Sequence, residues 1–259
     1  MSISIITRAY KTSELKNLLL NLNSNTETEF EVIAVCNVKD CETHEIKLVI
    51  EDSNRFEARI SGIRHANYDK VLLLDSDQII ENGLLAELDN RSEDIIIIPE
   101  RSVNKTLTSV CLDDWRSRYE NYARTHVSPY VPVVPRFYRK RFLINAIKKL
   151  SPNVYAVISH EDSVLYYEVF KETQNIGFSK KYIYNFDPSF FALMKKASLY
   201  GKNSREVESL ALPAEILHLI DSLNKNALNL KELKFGKGFV MQILRGCAYE
   251  LGRLVLAGR

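Results

Sequence analysis

Two aspartates one residue apart, Asp75 and Asp77, close the most continuous aliphatic run of the chain, Val71, Leu72, Leu73 and Leu74. Carboxylates at that spacing can converge on one hard cation, and a diphosphate could supply further oxygen ligands. The same pattern is common on solvated turns, so its weight comes from position. Residues 71–74 read as a central strand buried on both faces, short and free of Gly or Pro. In an open α/β sheet, ligands are met in the crevice beyond the carboxyl ends of the strands. A second acidic pair, Glu161 and Asp162, follows Ser159 and His160. It stands between an apolar segment read as a strand, 154–158, and a helical segment, 164–170. Acids in a helix's first turn commonly serve its cap and dipole. This is nevertheless another strand-to-helix junction, and the expectation is that all four acids look into one crevice.

The elements that must hold these groups follow from hydrophobic period. Residues 2–7 read as a strand, and Thr12 or Ser13 caps a helix whose Leu15, Leu18, Leu19 and Leu22 follow an i, i+3, i+4, i+7 stripe. Strands are expected at 30–35 and 46–50. Phe56, Ile60 and Ile63 mark a helix that leads into 71–74, Leu84, Leu85 and Leu88 a short helix, and 95–98, closed by Pro99, a fifth strand. This alternation predicts a parallel sheet with right-handed crossovers. After Glu100 the rhythm breaks. Trp115, Tyr119 and Tyr122 share a helix face and are expected in the core, while three prolines hold 128–135 extended. Arg136, Arg139, Lys140 and Arg141 form a basic cluster, either a solvated edge or a contact for an anionic acceptor or diphosphate. Residues 176–186 read as strand, and from Pro188 onward the pattern is helical.

Thirty-five Lys and Arg against 33 Asp and Glu leave a net charge of +2, which does not suggest a nucleic-acid binder held by bulk electrostatics. Cys36, Cys41, Cys111 and Cys247 show no CxxC spacing, so zinc and a disulfide framework are not expected and a reducing, cytoplasmic location is. No signal pattern and no 18-residue apolar run is present. Residues 231–259 carry six basic and two acidic residues, with Leu233, Val240, Leu244, Leu251, Leu254 and Val255 recurring on one side. Such a segment can lie on the anionic cytoplasmic face of a membrane. It can equally dock on its own domain or on a second copy, so peripheral attachment and a homodimer both stay open.

The run from Asn54 through Ala58, Arg59, Gly62 and Ile63 to Ala66, followed by 71–77, resembles the nucleotide-binding half of family 2 glycosyltransferases. There an Ala-Arg-x-x-Gly-Ile helix precedes a hydrophobic strand ending in Asp-x-Asp. His160-Glu161-Asp162 is similar to the family's downstream Glu-Asp motif, which supplies the catalytic base. The resemblance covers about residues 2–200, and its specificity lies in the order and separation of the pieces. It implies a glycosyltransferase type A fold, α/β, with a Rossmann-like, mostly parallel central sheet flanked by helices and a helical C-terminal extension. The expected organisation is a nucleotide-sugar-binding half at 1–100, an acceptor-binding and catalytic-base half at 101–203, and the extension at 204–259.

Carried over by position, the resemblance assigns nucleotide-sugar binding to Thr7, Arg8, Asn37, Asp52, Arg59, Asp75 and Ser76, and metal binding to Asp75 and Asp77. Asp162 would be the base, with Glu161 beside it. The activity implied is metal-assisted, inverting transfer of one sugar, a hexose, from a nucleotide-diphosphate sugar to a hydroxyl on a glycan, lipid-linked or protein acceptor, with Mn²⁺ or Mg²⁺. The chain also departs from the pattern. Cys36-Asn37 replaces an acidic pair, and Ile60 an asparagine. The usual histidine is absent at Asn185-Phe186-Asp187, leaving Asn185 or Asp187 as a substitute third ligand, and the Gln-x-x-Arg-Trp signature of processive members is missing. Two alternatives stand beside this reading: a catalytically silent nucleotide-sugar-binding or scaffolding relative, and a sugar-nucleotide nucleotidyltransferase. The latter would carry a Gly-rich loop after the first strand, and residues 7–13 contain no Gly.

Overall fold

The computed structural model describes residues 2–9, 12–25, 28–36, 46–131, 133–227 and 236–254. Asn37, Leu233 and Val255 lie outside the described residues. The chain divides into two compact units, one of 1–100, 135–150 and 168–185, the other of 101–134, 151–167 and 186–259.

In the first unit, strands β1 (Ser2–Ala9), β2 (Glu29–Cys36), β3 (Lys47–Ile50) and β4 (Lys70–Leu73) alternate with helices α1 (Thr12–Leu22) and α2 (Arg55–His65). After β4 come β5 (Gln78–Ile80), α3 (Leu84–Asp89) and β6 (Ile95–Ile97); β7 (Glu100–Ser102) runs to the second unit. The later insertions contribute β8 (Phe137–Arg139), α5 (Lys140–Lys149), β9 (Ile176–Phe178) and β10 (Ile183–Asn185), with α4 (Leu107–Thr125) preceding β8 in the chain. Seven strands form one sheet of order β3-β2-β1-β4-β8-β6-β9. β1 pairs in parallel with both β2 and β4, so the strand order reverses between β1 and β4. β8 is antiparallel to β4 and β6. The sheet is therefore mostly parallel, with one inverted strand that local periodicity does not reveal.

Burial follows the period that the sequence carries. Leu15, Leu18, Leu19 and Leu22 are all buried on α1, and all four residues of β4 are buried. α2 begins with a capping box: the Asn54 side chain accepts from the Phe56 and Glu57 amides, and the Glu57 carboxylate accepts from the Asn54 amide. Gly62 lets this helix lie close on β1, since a Cβ there would fall 2.3 Å from Ile6 Cγ2.

Three expectations are corrected. Residues 154–158 are not a strand: Pro152–Ala156 form a 3-10 turn, started by proline, and Val154 within it and Val157 just after it are both buried. Residues 176–186 are two strands, β9 and β10, parted by a turn in which Ser179 and Lys181 bond to each other. Directly after Asp77, Gln78-Ile79-Ile80 forms β5, antiparallel to β10 with Gln78 opposite Asn185. Ile95–Ile97 is therefore the sixth strand rather than the fifth.

The second unit is helical: α4, the start of α6 (Glu161–Phe170), α7 (Phe190–Glu208), α8 (Ala214–Ala227) and α9 (Lys237–Leu254). Tyr119 is buried on α4, Trp115 packs on its ring at 5.0 Å, and the Arg245 guanidinium covers Trp115, so this aromatic face is packing. Helices α7 and α9 approach almost backbone to backbone. A Cβ on Gly252 would fall 1.9 Å from the Ser198 carbonyl oxygen, and one on Gly201 1.9 Å from that of Tyr249.

Candidate functional site

The strand order reverses between β1 and β4, and the carboxyl ends at such a reversal are the general ligand position of open α/β sheets. Leu74, one residue past β4, donates its amide to the Ile6 carbonyl of β1 at 3.0 Å, which brings Thr7, Arg8 and Asp75 to the same sheet edge. Thr7 is buried, Arg8 Nη2 donates to the Ser53 carbonyl at 2.9 Å, and Asp52 is exposed beside it.

Asp75 is set among three guanidiniums. Arg55 and Arg59, one turn apart on α2 and hence on one face, reach Asp75 Oδ1 at 3.3 and 3.1 Å. Arg136, just before β8, lies 3.8 Å from Oδ2 and bonds Glu100 at 3.0 Å. Glu100 accepts from the Asn185 amide at 3.0 Å, and Asn185 Oδ1 accepts from Gln78 Nε2 at 2.9 Å. Gln78 Oε1 accepts from the Asp75 backbone amide at 2.9 Å, which closes a ring of contacts through Asp75, Gln78, Asn185, Glu100 and Arg136. Ser76 donates to Glu14 at 3.0 Å, and Asp77 is exposed. Of the basic cluster, only Arg136 joins this ring. Arg139 bonds Asp69 and the Arg91 carbonyl, Lys140 the Ala66 carbonyl, and Arg141 Asp94.

Arg55, Gln78, Glu100 and Arg136 were not singled out by sequence, except Arg136 as one of a cluster. The position of Arg55 four residues before Arg59 was a usable signal. Glu100 carries none and Arg136 only its place in the basic cluster, because strand pairing is what brings them to Asp75.

In the second unit, Glu161 and Asp162 open α6; Glu161 is 3% exposed, whereas Asp162 is half-buried. Asp187 is held by Arg116 through both oxygens, at 2.7 and 3.1 Å, and by the Ser102 hydroxyl. Among the described residues, no three His, Cys, Asp or Glu gather as a metal-binding group. A cavity of about 430 Å³ lies within this unit, lined by Ser159, Ser204, Ile220, Asn224, Glu250 and Arg253 among others.

Burial lowers the His160 imidazole from its usual 6.5 to about 4, and a hydrogen bond with the Asn224 side chain only partly opposes this. The folded protein thus holds His160 neutral where the unfolded chain takes up a proton. Stability is fully present above pH 6.5 and is lost as pH falls toward 4, by at most about 3 kcal/mol. Urea unfolding between pH 7 and 4.5 should show this acid-linked loss, and His160→Gln should remove that component of it.

No family model matches the sequence, and no curated protein matches it. Solved structures are similar in fold. S. aureus TarS 1-349 matches over 96% of this chain and 80% of its own, with a TM-score of 0.53 at 18% identity. A mannosyltransferase from Pyrobaculum calidifontis, PcManGT, in complex with GDP-Man and Mn²⁺, matches over 97% and 86%, with a TM-score of 0.61 at 15% identity. TarS 1-349 in complex with UDP-GlcNAc matches over 93% and 79%, with a TM-score of 0.52 at 18% identity. The fold is that of a type A glycosyltransferase. In a type A glycosyltransferase fold, Asp75 and its three guanidiniums stand at the carboxyl edge where β1 and β4 part.

Proposed function

We propose that this chain transfers a single sugar from a nucleotide-diphosphate sugar to an acceptor hydroxyl, with inversion at the anomeric carbon. The observation that carries the reading is the placing of Asp75 among Arg55, Arg59 and Arg136 at the β1/β4 edge of a type A glycosyltransferase fold. Fixed guanidiniums match the planar, multiply charged oxygens of a diphosphate, and the ring through Gln78, Asn185 and Glu100 pre-orients them, so little ordering is left for binding.

Two carboxylates are also the kind of ligand a hard divalent ion takes, and Asp75 would have to exchange its contacts with Arg55 and Arg59 for the ion. Asp75 and the exposed Asp77 offer only carboxylate oxygens, which suit Mg²⁺ or Mn²⁺. Such an ion supplies charge neutralisation at a leaving diphosphate. The ligands of the structures similar in fold, UDP-GlcNAc in one and GDP-Man with Mn²⁺ in another, support a nucleotide-sugar donor in this chain too. Asp162 is the base that takes the acceptor proton; it retains surface where Glu161 is buried, and a base must be reached by the hydroxyl it deprotonates. One carboxylate base without a protein nucleophile gives a single displacement.

Thermal unfolding with UDP-GlcNAc and GDP-Man, each with Mn²⁺ and with EDTA, tests the donor reading. A ligand bound only by the native state at about 100 times its Kd adds about 2.7 kcal/mol. Absence of any shift, together with no nucleoside diphosphate released in the presence of acceptor sugars, would sink the proposal. For Asp75→Ala, calorimetry of UDP and GDP should show the Mn²⁺-dependent gain in affinity abolished, a change of about tenfold or more. An undiminished Mn²⁺ effect in that variant would move the metal away from Asp75.

A further inference from the structure

Among the described residues no helix is long and apolar enough to cross a membrane. In the second unit α7, α8 and α9 instead turn one face each toward the cavity of about 430 Å³. α7 brings Ser204 and Val207 to it, α8 Ile220 and Asn224, and α9 Arg253, while Ser159 enters from the chain before α6. Residues three and four apart on a helix share a face, so each helix can offer the cavity both polar and apolar groups. The volume falls within the range of small-molecule sites, about 300–1,000 Å³.

The polar groups are fixed from behind. Asn224 donates to the Tyr249 hydroxyl at 3.3 Å, Ser204 bonds the same hydroxyl, and Asn224 also bonds the His160 side chain. Around this network three buried side-chain atoms have no hydrogen-bond partner among the described residues. They are Arg253 Nε in the lining, Asn203 Oδ1 next to Ser204 in the chain, and His160 Nε2 next to Ser159. Buried polar atoms are nearly always bonded, so such a group calls for a partner that the chain itself does not supply.

The atoms indicate the chemistry of that partner. Arg253 Nε only donates, Asn203 Oδ1 only accepts, and the hydroxyls of Ser159 and Ser204 do both. A phosphate or carboxylate would serve the donor alone and an ammonium the acceptor alone, whereas a hydroxyl serves either. Both cations of the lining already hold carboxylates: Arg253 bonds Glu208 at 2.7 Å and Glu250 at 3.4 Å, and Lys225 bonds Asp221 at 2.6 Å. Val157, Val207 and Ile220 are buried and give the cavity an apolar wall, suited to the C–H face of a sugar ring.

We propose that this cavity binds a neutral saccharide, its hydroxyls meeting Ser159, Ser204 and Arg253 and its ring carbons the wall of Val207 and Ile220. The inference rests on the second unit alone and is independent of the donor reading. The test is a titration of the full chain without nucleotide, read by NMR on labelled Ile, Leu and Val methyl groups. The saccharide probes are glucose, mannose, N-acetylglucosamine, cellobiose and chitobiose; inorganic phosphate and choline are the charged ones. At least one saccharide should shift the Val157, Val207 and Ile220 signals with a Kd of about 1–10 mM, leaving Ile5 and Leu15 of the sheet unit unmoved.

Ser159→Phe, which fills the cavity from the chain before α6, should weaken that binding about tenfold or more at an unchanged melting temperature. The wild-type methyl map decides the matter even where that variant does not fold. The proposal is overturned if no saccharide moves the three cavity residues, if phosphate or choline moves them in place of a saccharide, or if folded Ser159→Phe binds as the wild type does. Since no nucleotide is present, none of these results bears on the donor site at Asp75.

Discussion

Asp162→Asn should lower kcat by roughly 10²- to 10⁴-fold while leaving nucleotide-sugar affinity near that of the wild type. The substitution preserves side-chain volume and keeps an oxygen acceptor in the first turn of α6, but removes the group proposed to take the acceptor proton. The split between binding and turnover is the informative part, because a structural role would move both through loss of folded protein. Calorimetry with the donor, alongside steady-state transfer, measures each separately. Near-normal turnover would remove Asp162 from the chemistry. Glu161→Gln is a useful companion: at 3% exposure its carboxyl is out of reach of solvent, so its change should register chiefly in melting temperature.

Gly252→Ala should destabilise the helical unit by about 3 kcal/mol, seen as a drop of roughly 10 °C in melting temperature by circular dichroism. The added methyl would sit 1.9 Å from the Ser198 carbonyl oxygen, a backbone atom that cannot step aside as a flexible side chain can. Helices α7 and α9 must separate, and the contacts of the whole interface loosen with them. Leu251→Ala, one position away but pointing outward at 61% exposure, should melt as the wild type does. Equal melting of all three proteins would show that the helix pair tolerates a wider spacing than its backbone contacts suggest.

The two expectations differ in how far sequence could have led to them. Asp162 stood out because an acidic pair opening a helix resembles a known motif. Gly252 did not, because a glycine in a helix says nothing of what packs against it until the partner backbone is seen.

Local order was largely written in the chain. The alternation of strand and helix through residue 100, the buried Leu15, Leu18, Leu19 and Leu22, and the fully buried β4 ending at Asp75 all follow from period and run length, which neighbouring residues set among themselves. Features that depend on partners distant in sequence were decided by tertiary structure. β8 runs against its neighbours, β5 exists because β10 pairs with it, and Pro152–Ala156 winds as a 3-10 turn whose apolar residues a strand would use equally well. The site divides the same way. Asp75, Asp77 and Arg59 were legible as a motif, but the guanidinium of Arg136 and the ring through Gln78, Asn185 and Glu100 come from pairings across tens of residues. A sequence records what each residue can bond with; only the folded sheet selects which of those bonds are within reach.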